Sequence, residues 1–92
     1  MEATNFPITH WSEDDKPREK MMLKGKSALS DAELVAILIG SGSRNESAVA
    51  LSKRILASVN NNLSSLGIQS LAQLMEFKGI GEAKAITIAA AL

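Results

Sequence analysis

The chain contains no cysteine, and its 92 residues include only two prolines, one histidine and 3% aromatic residues. Without cysteine it has no disulfide framework, no thiol nucleophile and no cysteine-bound zinc. No apolar run reaches the roughly 18 residues that a membrane span needs, and the first ten residues lack the layout of a signal peptide. A soluble protein in the cytoplasm is therefore expected. A chain this short supports one compact core but no large enclosed active site.

The sequence also has no net charge, since ten acidic residues balance ten basic ones. This balance argues against a strongly basic nucleic-acid-binding protein, although it permits a local basic patch. The charges are unevenly spread, because residues 1–46 carry a net charge of −2 and residues 47–92 a net charge of +2. Any basic surface is therefore expected in the second half.

Residues 1–15 show no sustained hydrophobic period and are interpreted as an N-terminal arm that ends in three acidic residues. A short helix is predicted over residues 16–25, because Pro17 suits a first helical turn and a glycine favours a helix end. The acidic residues before it would lie at the positive end of the helix dipole. The sequence thus predicts an arm over 1–15 and a helical domain over 16–92.

Ser30 and Glu33 form the pattern of a capping box, in which each side chain accepts from the backbone N–H of the other residue. The apolar run at residues 34–39 would by itself also fit a buried strand. The cap favours a helix, and a helix that is apolar on every side is expected at the centre of the domain. A glycine- and serine-rich turn is predicted over residues 40–45.

A further, amphipathic helix is predicted from Ser47, with Lys53 and Arg54 on its outer side and an asparagine run ending it. One turn is predicted over residues 63–66, followed by a helix from Ser70 and a last helix that starts at residue 82. No segment predicts a strand with any strength, so the fold class is all-α, a small helical bundle. Because no helix-stop signal precedes residue 92, the domain is expected to be truncated in its last helix.

A Gly-Ile-Gly triplet between two apolar helical patterns resembles the helix-hairpin-helix motif of DNA repair and recombination proteins. The glycines would allow a tight turn with the isoleucine packed inward, and the N–H groups that start the next helix would favour an anion. Two lysines, one before the turn and one in the first turn of the next helix, would add positive charge. The predicted DNA phosphate-binding residues are Gly79, Ile80, Gly81, Lys84 and Lys78.

Contacts of this kind reach only the phosphate backbone, so binding would not depend on base sequence. The alternative is an ordinary helical hairpin in which the triplet is a compact turn. Glu82 counts against the phosphate site, since a carboxylate in the first helical turn competes with an incoming phosphate.

A degenerate second hairpin is suggested by Gly40, Ser41 and Gly42, which repeat the spacing of the first triplet. Ser41 stands in place of the anchoring isoleucine, and Glu46 corresponds to Ala85. The alternative is a flexible connector. If the second hairpin contacts DNA, the candidate residues are Gly40, Gly42, Arg44, Lys53 and Arg54.

Several segments then point to one family: Pro17-Arg18-Glu19-Lys20, Lys24-Gly25, residues 28–34 and 36–42, and the Gly-Ile-Gly triplet with Ala83-Lys84-Ala85. With them the chain resembles, over roughly residues 9–92, the N-terminal region of the RadC family of bacterial DNA repair proteins. The resemblance implies a helix-hairpin-helix domain followed by a JAB1/MPN metalloprotease-type domain with a His-x-His and Asp zinc site. That domain is absent from these 92 residues, so zinc and hydrolase activity are implied for it alone.

Within the 92 residues the sequence predicts no catalytic residue, metal ligand, cofactor or small-molecule substrate. His10, Ser12 and Asp14 are triad residue types, but neighbours in sequence rarely supply triad geometry. Neither glycine pair has the ending of a P-loop or the third glycine of a dinucleotide fingerprint. Trp11 is interpreted as a packing residue.

The function predicted is a non-enzymatic, sequence-independent DNA-binding module of a RadC-like repair protein. The alternative is a protein-interaction or regulatory domain that packs on its own C-terminal domain. Such a contact would use the residues expected on the outer side of the last helix, Ile86, Ala89 and Ala90.

Overall fold

The computed structural model of the chain describes residues 13–92, and these residues fold into six α-helices. They are α1 (Lys16–Lys24), α2 (Asp31–Ile39), α3 (Ala48–Ala57), α4 (Leu63–Gly67), α5 (Leu71–Met75) and α6 (Glu82–Ala91). Short 3-10 turns at Glu13–Asp15 and Lys26–Ala28 flank α1. Within these residues the one extended pairing is an isolated bridge between Ser43 and Glu46. The predicted all-α class is confirmed.

Helix α2 lies at the centre of the fold, in contact with α1, α3 and α6. Its Val35 and Ala36 are fully buried, and Ile39 is 5% exposed. A helix that is apolar on every side stabilises the fold only when several neighbours cover it. The position expected for this helix from the sequence is confirmed. The other fully buried apolar side chains around it come from α3 to α6: Ala48, Leu51, Ile55, Leu66, Leu74, Ala85 and Ile88.

The start of α2 is fixed by the predicted capping box. The Glu33 N–H donates to Ser30 Oγ at 3.1 Å, and the Ser30 N–H donates to Glu33 Oε1 at 2.8 Å. Lys20 Nζ donates to both oxygens of the same carboxylate at 3.2 Å, which joins α1 to α2. The hydrogen bond from the Ser30 N–H, and after it the lysine, hold the pKa of Glu33 below its usual value.

The predicted helix ends have local causes. Asn60 and Asn61 adopt φ angles of 56° and 58°, in the left-handed region that asparagine tolerates, and α3 has ended just before them. Gly25 has a φ of 85° after α1, as expected for a glycine at a helix end, but with an extended ψ of 167°. Both stops agree with the sequence prediction.

Residues 1–12 lie outside the described part of the chain, so the predictions for His10, Trp11 and Ser12 stay predictions. The last three residues of the predicted arm form the first 3-10 turn. Between residues 13 and 92, no helix has both the length and the apolar character that crossing a membrane requires.

Replacing Glu33 by glutamine should keep the capping box, which glutamine can complete, but remove the charge that Lys20 binds. Because the folded-state pKa of Glu33 is lowered, its ionised form stabilises the fold above its ordinary value of about 4.5, and this stabilisation is lost as the pH falls through the lowered pKa. Thermal unfolding at a series of pH values should therefore show a smaller acid-induced loss of stability in Glu33→Gln than in the parent. Glu33→Ala, which also removes the bond from the Ser30 N–H but leaves Ser30 Oγ as the N-cap, should cost up to about 1 kcal/mol at neutral pH. Identical pH profiles for the parent and Glu33→Gln would contradict this assignment.

Candidate nucleic-acid interface

The hairpin formed by α5, the turn at residues 76–81 and α6 is closed by an apolar inner face. Leu74, Ala85 and Ile88 are fully buried, and Ile80 in the turn is 4% exposed. The Ile80 N–H donates to the carbonyl of Phe77 at 3.0 Å, and the Phe77 ring packs against the same core. The predicted inward position of Ile80 is confirmed.

The two glycines of this turn have different roles. Gly79 has a φ of 98°, and a Cβ at this position would lie 3.2 Å from Leu51 Cδ2 of α3. Gly81 has an ordinary φ of −93°, and a Cβ there would meet no described atom within 4 Å. The fold therefore explains Gly79, whereas at Gly81 the absence of a side chain leaves the backbone open to an approaching group.

The N-terminus of α6 differs from those of α2 to α5. The latter are capped by the side chains of Ser30, Ser47, Asn62 and Ser70, respectively. At α6 the N-cap residue is Gly81, and no side chain among residues 13–92 caps the helix. The first N–H groups of a helix have no partner within it, and together with the helix dipole they favour an anion. Glu82 is exposed in this first turn and opposes such an anion.

Lys84, which the sequence assigns to phosphate binding, reaches the loop that follows α2. Its Nζ donates to the carbonyl of Ser41 at 2.8 Å and lies 3.4 Å from that of Gly42. An ammonium group has three protons, so one remains beyond these two contacts. Lys84 thus joins α6 to the loop that follows α2, and nothing in its position in the sequence predicts this role.

Arg54 connects the same hairpin to α3. Its Nε and Nη2 donate to the two carboxylate oxygens of Glu46 at 3.0 and 2.9 Å, and Nη2 also donates to the carbonyl of Lys78 at 2.7 Å. The hydrogen bonds between Arg54 and Glu46 lower the pKa of Glu46 and raise that of Arg54. The carboxylate of Glu46 therefore offsets part of the positive charge of Arg54, whereas the Lys78 side chain beside it is exposed.

The loop after α2 holds a carboxylate that sequence analysis did not anticipate. Asp14 Oδ2 accepts from the Gly42 N–H at 3.1 Å, and Oδ1 accepts from the Ala48 N–H, in the first turn of α3, at 2.6 Å. These are the N–H groups that a phosphate on a second hairpin would need. The partners lie 28 and 34 residues from Asp14, so no local pattern could reveal the contact.

The predicted correspondence between Glu46 and Ala85 is wrong. α6 begins directly after Gly81, but α3 begins only at Ala48, because the chain first makes a tight turn between Ser43 and Glu46. Two backbone hydrogen bonds of 2.9 and 3.3 Å close this turn. Glu46 therefore precedes the helix, and the second loop does not share the helix register of the first.

The remaining candidate cations lie in two places. Arg44 is exposed in the tight turn, which is adjacent to the hairpin, since Ser43 Cβ is 3.6 Å from the Cβ position of Gly79. Lys53 instead lines a groove of about 510 Å³ between α1 and α3, together with Lys16 and Lys20. Lys53 is thus not brought to the hairpin turn.

The alternative contact surface also needs a correction. Ile86 is 49% exposed and Ala90 is exposed, as predicted, but Ala89 is half-buried against the core rather than directed away from it.

In residues 13–92 no three His, Cys, Asp or Glu side chains are grouped as a metal site would require.

The UPF0758 N-terminal family model matches residues 8–86 of the chain. The chain belongs to the UPF0758 family. The predicted RadC-family resemblance is confirmed at this level. No solved structure matches the chain.

Curated UPF0758 proteins from several organisms resemble this chain along nearly its whole length. The protein of Flavobacterium johnsoniae is 74% identical over 92 residues, which are all of this chain and 40% of that protein. The protein of Porphyromonas gingivalis is 47% identical over 86 residues, covering 92% of this chain and 38% of that protein. The protein of Methanosarcina mazei is 39% identical over 90 residues, covering 98% and 38% respectively. The chain thus spans about 40% of the length of these relatives.

Alanine substitutions should distinguish Gly42, where a side chain has no room, from Gly81, where a side chain has space. A Cβ at Gly42 would overlap the backbone from Glu46 to Ala48, so Gly42→Ala should lower the free energy of unfolding by about 2–3 kcal/mol or more. Gly81→Ala meets no described atom and should cost less than about 1 kcal/mol, which is the usual scale of a change at an N-cap. Denaturant unfolding measures both values, and equal losses would contradict this account of the two loops.

Proposed function

We propose that this UPF0758 chain is a non-enzymatic module that binds DNA through its phosphate backbone at the start of α6. The observation that carries the proposal is the N-terminus of α6, which no side chain among residues 13–92 caps and where Gly81 has no side chain to block an approaching group. Phosphate is the anion that DNA presents at every step, and it is the usual ligand of such helix ends.

The site is rigidly supported. Ile80 is buried in the core, Gly79 lies against Leu51 of α3, and Arg54 holds the carbonyl of Lys78. The N–H groups at the start of α6 are therefore already oriented before a phosphate arrives, which reduces the entropy cost of binding. Because backbone amides supply the contact, the domain needs no excess of basic side chains, and its zero net charge does not oppose the proposal.

The charges around the site support weak binding. Lys78 is exposed at the turn, whereas Arg54 is paired with Glu46 and Lys84 is bonded to backbone carbonyls. Glu82 opposes an anion in the first turn of α6. A contact that neutralises ~2 phosphates loses roughly tenfold in affinity between ~50 and ~200 mM salt.

A single phosphate site accounts for the described residues better than a pair of equivalent hairpins. In the second loop the Asp14 carboxylate already accepts from the N–H groups of Gly42 and Ala48. A weak single site is useful when it is tethered to another domain, since linkage raises its effective concentration at the DNA. We therefore propose that the module brings a linked domain to DNA, irrespective of base sequence.

Titration with short single-stranded, duplex and branched DNA at low salt tests the proposal. Lys78→Glu should weaken binding and make its salt dependence less steep, because Lys78 is exposed at the hairpin turn. Lys24→Glu is the matched control, since it makes the same charge change at an exposed residue at the end of α1. Equal effects of the two substitutions would mean that only the overall charge matters and would contradict the site.

Gly81→Asp separates binding from stability. Gly81 has the extended backbone of an N-cap residue, so an aspartate there should cap α6 and raise the free energy of unfolding by a few tenths of a kcal/mol. The same carboxylate would occupy the proposed phosphate position and repel DNA. Gly81→Asn supplies the cap without the charge and should bind more tightly than Gly81→Asp. A stable Gly81→Asp protein with parent-like affinity would refute phosphate binding at this helix end.

A further inference from the structure

Large apolar side chains are exposed where α4, α5 and the end of α6 meet. Ile68 is 82% exposed, and Leu71, Met75 and Leu92 are each 44–45% exposed. These four residues are here called the apolar end. Ile68 directly follows α4, Leu71 and Met75 lie one turn apart on α5, and Leu92 follows α6.

The chain itself brings these elements together. α6 packs against both α4 and α5. A Cβ placed on Gly67 would lie 2.9 Å from Leu92 Cβ, so the residue that ends the sequence is next to the one that precedes Ile68. Ile68 and Leu92 thus belong to the same side of the molecule.

The apolar end lies in a region without charge. No residue between 55 and 75 and none between 85 and 92 is charged, although the chain has 20 charged residues. The cores of protein interfaces are depleted in charged residues and enriched in methionine. Among the described residues three other large apolar side chains are exposed: Met22 and Leu23 on α1 lie among Lys20, Lys24 and Lys26, and Ile86 lies on α6.

The relatives indicate what covers such a surface. The matching family model is the N-terminal one of UPF0758 proteins, and the matched segment is only 38–40% of the relatives' length. In those proteins a longer stretch of polypeptide therefore follows the segment, and a chain that continues from residue 92 begins beside Ile68. Tethering at this point gives the following residues a high effective concentration at the apolar end.

We propose that the apolar end is the docking surface for the polypeptide that follows this segment in the longer UPF0758 proteins. The inference does not rest on DNA binding. The phosphate site lies at the start of α6, whereas Ile68 and Leu92 of the apolar end lie near its other end, roughly 15 Å away along the helix. One helix thus links a surface for nucleic acid to a surface for the rest of the protein.

The methyl groups of Met75 and Met22 allow a direct test. Residues 1–92 alone are compared with a chimera, in which residues 1–92 replace the matching segment of the full-length Flavobacterium johnsoniae protein. The two segments are 74% identical. Methyl NMR with a soluble paramagnetic probe reports how accessible each methionine is. The Met75 methyl should shift and lose severalfold of its probe accessibility in the longer chain, whereas Met22 should change little. Equal accessibility of Met75 in the two proteins would overturn the proposal.

Two variants test whether the apolar end itself makes the contact. Ile68→Lys in the longer chain should expose Met75 again, and Met22→Lys, the matched control, should leave it protected. Protection of Met75 that persists in Ile68→Lys would overturn the assignment. The assignment would also be overturned if Met75 were protected in residues 1–92 alone and sedimentation gave the mass of a dimer. The occupant would then be a second copy of the chain.

A measurement on the unaltered relative guards against a chimera that does not fold. Hydrogen exchange of the Flavobacterium johnsoniae protein is compared between its full length and its own matching N-terminal segment. The part that corresponds to residues 66–75 should exchange more slowly in the full-length protein. Unchanged exchange there would contradict the docking surface even if DNA binding at Gly81 were established.

Discussion

Every helix begins with N–H groups that have no partner inside the helix, and this constraint determines much of the architecture. Helices α2 to α5 meet it with serine or asparagine side chains at the N-cap. α3 receives a second acceptor, Asp14, from the segment before α1. In α6 the same position holds Gly81, and no side chain among the described residues caps its first N–H groups. α1 also lacks a side-chain cap, but it continues directly from the 3-10 turn at Glu13–Asp15. The proposed function follows from the open N-terminus of α6.

Two of the five basic residues expected to contact DNA hold the two glycine-rich loops together. Lys84 bonds to the carbonyls of the loop after α2, and Arg54 joins Glu46 to the carbonyl of Lys78. A cation bonded to backbone carbonyls fixes the geometry of the turn but contributes less to binding an external anion. The proposed phosphate contact therefore depends on backbone amides more than on side chains, and it is expected to be weak.

Local chemistry made much of this fold predictable from the sequence. The capping box at Ser30, the stop at Asn60 and Asn61 and the inward Ile80 each depend on residues within a few positions of one another. The candidate site was less predictable, since the partners of Asp14 and Lys84 lie 28 to 43 residues away. The error at Glu46 has a different origin: the tight turn that delays α3 is closed by local backbone hydrogen bonds between Ser43 and Glu46, which the spacing of the glycines alone did not reveal.

The central claim is that the N–H groups at the start of α6 bind phosphate, and amide NMR during titration with a short DNA at low salt tests it most directly. The amide signals of Gly81, Glu82 and Ala83 should shift with added DNA and return when salt is raised. Those of Gly42 and Ala48, which already donate to Asp14, should stay in place. Shifts confined to Gly42 and Ala48, or no shift at the start of α6 when DNA is bound, would contradict the account.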